Sequence, residues 1–163
     1  MRLELLGVRV ELPANTPVVL LRESEGRNRL LPIFIGSPEA QAIHYALEGQ
    51  VPPRPLTHDL FRNTLVELGV TLERVVITSV KEHTYFAELH VAGAAGSHTI
   101  SARPSDAIAL AVRLGAPIFA EESLVDEVGQ DEPIDEPDES EDEILDEFHD
   151  FIESVKPEDF FES

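Results

Sequence analysis

Two stretches of this chain carry the same order of apolar and acidic residues, displaced from each other by 67 positions. The later stretch predicts a helix from Pro104 to Gly115, because proline suits the first helical position, Asp106 suits the first turn and glycine suits the C-cap. The matched pairs are Leu5 with Leu72, Val8 with Val75, Val10 with Ile77, Ile33 with Ile100, Glu39 with Asp106, Ala40 with Ala107, Ala42 with Ala109, Ile43 with Leu110 and Leu47 with Leu114. The repeat predicts two halves, about 1–66 and 67–130, each with an apolar face that only the other can cover.

The spacing of apolar residues predicts three strands and two helices in each half. Strands are expected at 3–12, 16–22 and 30–35, with a bulge at 5–7, and then at 70–80, 84–91 and 98–102. Helices are expected from Pro38 to Glu48 with Ser37 as the N-cap, from Thr57 as a cap to Gly69, from Pro104 to Gly115 and near 121–128. The buried side of the second helix is expected to consist of Leu60, Phe61, Leu65 and Leu68. These elements predict an α+β fold, in which duplicated β3-α2 halves form one mostly antiparallel sheet with the helices packed outside.

Negative charge is concentrated in the last quarter of the sequence. Residues 1–120 carry 11 Lys or Arg and 12 Asp or Glu, whereas residues 121–163 carry 1 and 20. We interpret the chain as a nearly neutral domain over 1–130 followed by an acidic tail over 131–163. The tail is expected to be partly disordered, with an amphipathic helix near 141–155 that docks a protein partner.

Composition and motif content exclude several kinds of site. The chain has no cysteine, which excludes disulfides, thiolate catalysis and cysteine-bound zinc. The residue spacings of P-loops, dinucleotide-binding turns, HExxH metalloproteases and nucleophile elbows do not occur, and the histidines lack metal-ligand spacing. No segment reads as a signal peptide or a membrane span, which predicts a cytoplasmic protein with no membrane partner.

Three separate strings in the sequence resemble one known family. They are LPIFIG at 31–36, PRPLTHDL at 53–60 and ARPSDAIAL at 102–110, and together they resemble the bifunctional nuclease family over about 1–130. The resemblance implies the duplicated β3-α2 half, the curved sheet and a homodimer or higher homo-oligomer. It also implies a nuclease that hydrolyses phosphodiester bonds in RNA or DNA, with single-stranded nucleic acid as its substrate. Many plant members carry a C-terminal UVR motif where this chain has its acidic tail, so partners of that motif are not implied.

Nuclease chemistry requires a group that moves protons and groups that stabilise charge on the phosphate. The candidates are charged or titratable residues at or just before predicted helix N-termini, where free backbone amides favour an anion. The catalytic candidates are His58, Asp59 and Asp106, with His58 as the acid or base. The phosphate-binding candidates are Arg54 and Arg103. The candidate ligands of Mg²⁺ or Mn²⁺ are Glu39, Asp59 and Asp106.

The same residues also allow a purely structural interpretation. Carboxylates are favoured at helix N-termini in any protein, and Arg103 is equally well placed to pair with Asp59 or Glu39 and hold the two halves together. His58 in a first turn suits a capping or surface role, and Arg54 suits a salt bridge. The alternative function is therefore a non-enzymatic dimeric scaffold or regulatory protein, whose acidic tail helix docks a protein partner.

Overall fold

Two antiparallel meanders make up most of the sheet in the computed structural model, which describes residues 1–132. The first meander consists of β1 (Arg2–Glu11), β2 (Thr16–Glu23) and β3 (Leu30–Phe34). The second consists of β4 (Thr71–Lys81), β5 (Thr84–Gly93) and β6 (Gly96–Ala102), and β7 (Ile118–Ala120) is a short further strand. The helices are α1 (Ser37–Leu47), α2 (Thr57–Glu67), α3 (Pro104–Leu114) and α4 (Glu122–Val128). The mostly antiparallel α+β fold expected from the sequence is confirmed.

The chain divides into two units, Met1–Glu132 and Pro133–Ser163. Only the first unit belongs to the described residues. The amphipathic tail helix expected near 141–155 lies outside them and stays a prediction. Within residues 1–132, no helix is long and apolar enough to cross a membrane.

Strand β7 joins the two meanders at the centre of the sheet, and the apolar pattern did not predict it. Ile118 of β7 pairs with Leu3 of β1 in antiparallel register and with Val75 of β4 in parallel register. The strand order is β3-β2-β1-β7-β4-β5-β6, so neither β1 nor β4 is an edge strand. A three-residue strand after Pro117 is too short for alternation of apolar residues to reveal it.

The strand registers show how closely the two halves correspond. Leu5 pairs with Leu21 in the first meander and Leu72 pairs with Val91 in the second, and each pair is followed by a bulge in the first strand. The first strands are therefore displaced by 67 residues and the middle strands by 70. The prediction that one displacement of 67 residues relates the two halves throughout is wrong for the middle strand. The second hairpin is longer than the first and contains a further bulge after Ile77. The duplication itself stays a prediction.

Helix α3 occupies the centre of the core. Seven of its eleven residues are buried, and Ala107, Ile108 and Ala109 have no exposed surface. The helix contacts β4 and β5 of the sheet as well as α1 and α2, so its burial extends beyond the narrow apolar stripe that the spacing predicts. Alanines allow neighbours to approach closely from several directions. Pro104 at the first position and Gly115 at the C-cap, with a φ of 66°, confirm both predicted ends.

Helix α2 differs from α3 because none of its residues is buried. Leu60, Phe61 and Leu68, which were expected on its buried side, are 57%, 45% and 69% exposed. That prediction is wrong because α2 packs mainly against α3. Most of the apolar surface of α3 is already covered by the sheet and α1, so little of it is left for α2 to bury its own apolar side chains against. Polar contacts therefore have a larger share in holding α2 in place than apolar burial does.

Helices α1 and α2 begin one residue earlier than the sequence suggested. Their N-caps are Gly36 and Leu56, so Ser37 and Thr57 are the first helical residues rather than the caps. Neither N-cap has a side chain that can accept a hydrogen bond from the helix. In α2 the backbone N–H of the N-cap Leu56 instead donates a hydrogen bond to the side chain of Asp59 in the first turn.

Asp59 fixes the start of α2 and joins it to α3. Its Oδ2 accepts a hydrogen bond from the N–H of Leu56 at 3.0 Å, and its Oδ1 accepts one from Nε of Arg113 at 2.8 Å. The Arg113 side chain is only 7% exposed, and it also donates to the carbonyl oxygen of Ala109. The Arg113 hydrogen bond lowers the pKa of Asp59 against the opposing effect of burial, so this carboxylate is ionised at neutral pH.

Replacing Asp59→Asn should loosen α2 from α3. At pH 7 we expect the free energy of unfolding to fall by about 1–2 kcal/mol, because a charge-assisted hydrogen bond is lost. A carboxylate whose pKa is lowered by folding stabilises the protein above its unfolded pKa and loses that effect as the pH falls through the folded value. The deficit should therefore shrink below about pH 4.

Urea unfolding of the wild type and the variant at pH 7 and pH 3 measures this difference. Glu67→Gln is the matched control, since it removes the same charge from the exposed end of the same helix. Equal losses of stability in the two variants at pH 7, or an undiminished deficit at pH 3, would contradict the role of the Asp59–Arg113 contact.

The two-residue turn between β4 and β5 holds Glu82 and His83 at φ values of 49° and 63°. Asn and Gly adopt these angles more readily in such turns. The double substitution Glu82→Asn/His83→Gly should therefore raise the free energy of unfolding by about 1 kcal/mol, measured by urea unfolding. The same Asn-Gly pair placed at Ala94–Ala95, where neither φ is positive, should give no gain. A gain at both turns would show that the left-handed backbone is not the cause.

Candidate functional site

A cavity of about 1020 Å³, called here the cleft, lies where α1, α2, α3 and β6 meet. Its charged residues and its histidine come from the starts of the three helices and are Glu39, His58, Arg103 and Asp106. Its apolar wall includes Leu56, Leu60, Phe61, Ile100 and Leu110. Leu60, Phe61 and Ile100 are each at least 45% exposed, so this wall is open to solvent. The cleft therefore combines a charged cluster with an accessible apolar surface.

Asp106 is the centre of the charged cluster. Its Oδ1 lies 2.8 Å from Nε2 of His58, and its Oδ2 accepts a hydrogen bond from Nε of Arg103 at 2.8 Å. Nη1 of Arg103 in turn lies 3.2 Å from Oε1 of Glu39. The cluster thus connects α1, α2 and α3. Of the two acids that the sequence offered as partners of Arg103, the structure pairs it with Glu39 and not with Asp59.

Local helix geometry places these side chains. Arg103 is the N-cap of α3 and has extended backbone angles, and Pro104 fixes the first helical position. Asp106 stands three residues after Arg103, so its carboxylate reaches back to the arginine. Glu39 and His58 lie in the first turns of α1 and α2. Three helix N-termini, each with free N–H groups, therefore contribute to one cleft.

Gly36 leaves space for the carboxylate of Glu39, and the sequence analysis did not single out this glycine. The backbone angles of Gly36 are −76° and 158°, which any residue adopts. A Cβ on this residue would overlap Oε2 of Glu39, so the carboxylate can occupy this position only while residue 36 is glycine. A glycine three residues before an acidic residue at a predicted helix start was the available signal.

The electrostatics of the cleft keep Asp106 ionised. Burial raises the pKa of this carboxyl, but the hydrogen bonds from Arg103 and His58 outweigh that effect and the pKa is lowered. The hydrogen bond to Asp106 also raises the pKa of Arg103. An ionised carboxylate beside Nε2 favours the His58 tautomer with its proton on that nitrogen. Nδ1 of His58 has no hydrogen-bond partner among residues 1–132, which leaves it as the ring atom that can exchange a proton.

Two of the predicted site residues lie elsewhere. Asp59 faces Arg113 and lines a separate cavity of about 390 Å³, so its carboxylate has a structural partner and is not part of the cleft. Arg54 is exposed in the proline-rich segment before α2 and is not among the residues that line the cleft. The structure therefore brings together Glu39, His58, Arg103 and Asp106.

The carboxylates do not fit the Mg²⁺ or Mn²⁺ site that the sequence suggested. Within the described part of the chain, no three His, Asp or Glu side chains are grouped closely enough to hold a metal ion. Both oxygens of Asp106 and both oxygens of Asp59 already accept hydrogen bonds or face a histidine, and Glu39 is paired with Arg103. We therefore derive no step through a metal.

Comparison with known proteins places these residues in a family. Residues 19–133 match the bifunctional nuclease domain. An uncharacterized protein of Mycobacterium tuberculosis is 44% identical over 159 residues, which cover 95% of this chain and 94% of that protein. Bifunctional nuclease 2 of Oryza sativa is 30% identical over 122 residues, which cover 72% of this chain and 37% of the rice protein. Bifunctional nuclease 1 of Arabidopsis thaliana is 28% identical over 111 residues, 66% of this chain and 34% of that protein. The chain belongs to the bifunctional nuclease domain family.

Proposed function

We propose that this protein hydrolyses phosphodiester bonds in single-stranded RNA or DNA and that the cleft is its active site. The observation that carries the proposal is the His58–Asp106–Arg103 cluster beside an exposed apolar wall. Plant relatives named bifunctional nucleases support the same reaction class. The chain spans about a third of the length of those plant proteins, at 37% and 34%.

His58 is the proton-transfer residue in this proposal. Nδ1 takes a proton from the attacking water or hydroxyl, a new oxygen–phosphorus bond forms, and the bond to the leaving oxygen breaks. The leaving oxygen then receives a proton from solvent or from the imidazolium of His58. Asp106 holds the ring through Nε2 and stabilises the imidazolium while it exists.

Arg103 stabilises the phosphate in this proposal. Its Nε donates a hydrogen bond to Asp106 and its Nη1 faces Glu39, whereas Nη2 donates no hydrogen bond to any group of residues 1–132. The side chain is 64% exposed, so a phosphate oxygen can reach Nη2 from solvent. A guanidinium fixed by a carboxylate is well suited to bind phosphate oxygens as negative charge builds on them.

The apolar wall accounts for the preference for single strands. Phe61 offers an aromatic face and Leu60 and Ile100 offer aliphatic surface at the same opening. Unpaired bases stack on such surfaces, whereas the bases of a duplex are covered by their neighbours. The described domain is nearly neutral, with 11 Lys or Arg and 12 Asp or Glu in residues 1–120, so long-range attraction of a duplex is weak.

Replacing His58→Asn should lower cleavage of a labelled single-stranded oligonucleotide by a factor of about 10² to 10⁴, because the proton-transfer group is lost. Cleavage of RNA and DNA substrates is followed on gels, with added Mg²⁺ or Mn²⁺ and with chelator. His44→Asn is the matched control, since His44 is exposed on α1 and does not line the cleft. Unchanged cleavage by the His58 variant would contradict the proposed site, and loss of cleavage with chelator would show that metal takes part after all.

A dimeric scaffold is the second candidate, and the exposed apolar residues of α2 favour it. Val66 and Leu68 are 56% and 69% exposed and lie outside the residues that line the cleft. Val66 in the last turn of α2 and Leu68 at its C-cap both lie at the end of the helix, and exposed apolar side chains there favour pairing of that end with another protein. A homodimer through α2 is the proposal, and docking of a further protein by the acidic tail remains a proposal as well.

The double substitution Val66→Asp/Leu68→Asp should convert a dimer to a monomer, because it places two charges on the pairing surface. Light scattering after size-exclusion chromatography measures the mass. Val51→Asp, at a residue that is 90% exposed in the proline-rich segment, is the control and should leave the mass unchanged. An unchanged dimer in the double variant would exclude α2 as the interface, and a monomeric wild type would remove the scaffold proposal.

A further inference from the structure

We propose that Glu39 is a built-in competitor of the substrate, whose carboxylate occupies the guanidinium of Arg103 until a substrate phosphate displaces it. This inference rests on the proposed function, because it concerns how a phosphate gains access to the cleft. It assigns to Glu39 a role in substrate affinity that differs from the metal ligation first considered for it.

Among residues 1–132, Arg103 is the sole Arg or Lys that lines the cleft. Its Nη1 lies 3.2 Å from Oε1 of Glu39. The arginine side chain is 64% exposed and the glutamate side chain is 20% exposed. An anion that approaches this guanidinium from solvent therefore meets a carboxylate already in place on one of its two amino groups.

Glu39 is easier to displace than Asp106, the other acid on Arg103. Asp106 uses both oxygens, one toward Nε of Arg103 and one toward Nε2 of His58, each at 2.8 Å. Glu39 contacts Arg103 through one oxygen at the longer distance of 3.2 Å. When a phosphate binds, the contact to Asp106 keeps the arginine in position, and the contact to Glu39 is the one exchanged.

The absence of a side chain at Gly36 leaves room for the Glu39 carboxylate in this competing position. A Cβ on residue 36 would overlap Oε2 of Glu39, which is the far end of a flexible side chain. A methyl group there would therefore push the carboxylate aside and would leave the backbone of α1 in place, since the angles at Gly36 suit any residue. The structure thus offers two independent ways to weaken the competitor: removal of its charge and displacement of its carboxylate.

The test compares Glu39→Gln and Gly36→Ala with the wild type. Both variants should lower the KM for a single-stranded oligonucleotide by about three- to tenfold with kcat unchanged, because a negative charge beside the phosphate site is removed or moved away. Glu48→Gln is the matched control and should leave KM unchanged. It removes the same charge from the C-cap of α1, which lies outside the cleft. Urea unfolding of each variant verifies that the fold is retained.

A binding measurement separates this inference from the proposed function. The probe is a fluorescein-labelled, phosphorothioate-linked single-stranded oligonucleotide, followed by fluorescence anisotropy. Tighter binding by Glu39→Gln supports the inference even if no variant cleaves, and that combination would overturn the proposed hydrolysis alone. Equal binding by Glu39→Gln, Glu48→Gln and wild type would overturn the inference. A fall in kcat with unchanged KM in Glu39→Gln would also overturn it, because Glu39 would then act in the chemical step.

Discussion

The structure of the cleft depends on the two hydrogen bonds of Asp106. One oxygen faces His58 of α2 and the other accepts from Arg103, which in turn reaches Glu39 of α1. Three helices are therefore held around one ionised carboxylate, and the neutral form of Asp106 would satisfy only part of this arrangement. The lowered pKa of this group means that the arrangement is complete at the pH of most cellular compartments.

Two of the three helices that carry the cluster differ in how firmly they are held. Helix α3 is packed on several sides and has no exposed surface at Ala107, Ile108 and Ala109. Helix α2 has no buried residue and is held to α3 by the hydrogen bond of His58 to Asp106 and by the ion pair of Asp59 with Arg113. One side of the cleft therefore belongs to the core, and the other side is attached to the core by polar contacts.

The sequence predicts the helices and strands whose ends or whose apolar alternation are clearly marked by residue type. Pro104 and Gly115 mark both ends of α3, and alternation marks the long strands. The sequence also brings forward Glu39, His58, Arg103 and Asp106, because all four lie at helix starts, but it selects Asp59 and Arg54 on the same ground and cannot separate them from the four. It does not reveal the partner of Asp59, because Arg113 lies 54 residues away in the sequence. The burial of the Arg113 side chain depends on tertiary packing, which the sequence pattern does not show. The exposure of α2 and the crowding at Gly36 are hidden for the same reason: they are set by neighbours distant in sequence.

The short central strand β7 has a consequence for synthesis of the chain. Its last residue, Ala120, donates its N–H to the carbonyl oxygen of Met1 at 2.9 Å and accepts from the amino terminus at 3.0 Å. Because Met1 and Ala120 are 119 residues apart in the sequence, Met1 can pair with β7 only after most of residues 1–132 have been translated. Until β7 is made, no strand lies between β1 and β4. The sheet is therefore completed late, and β1 of the nascent first meander has backbone N–H and C=O groups without a neighbouring strand until then.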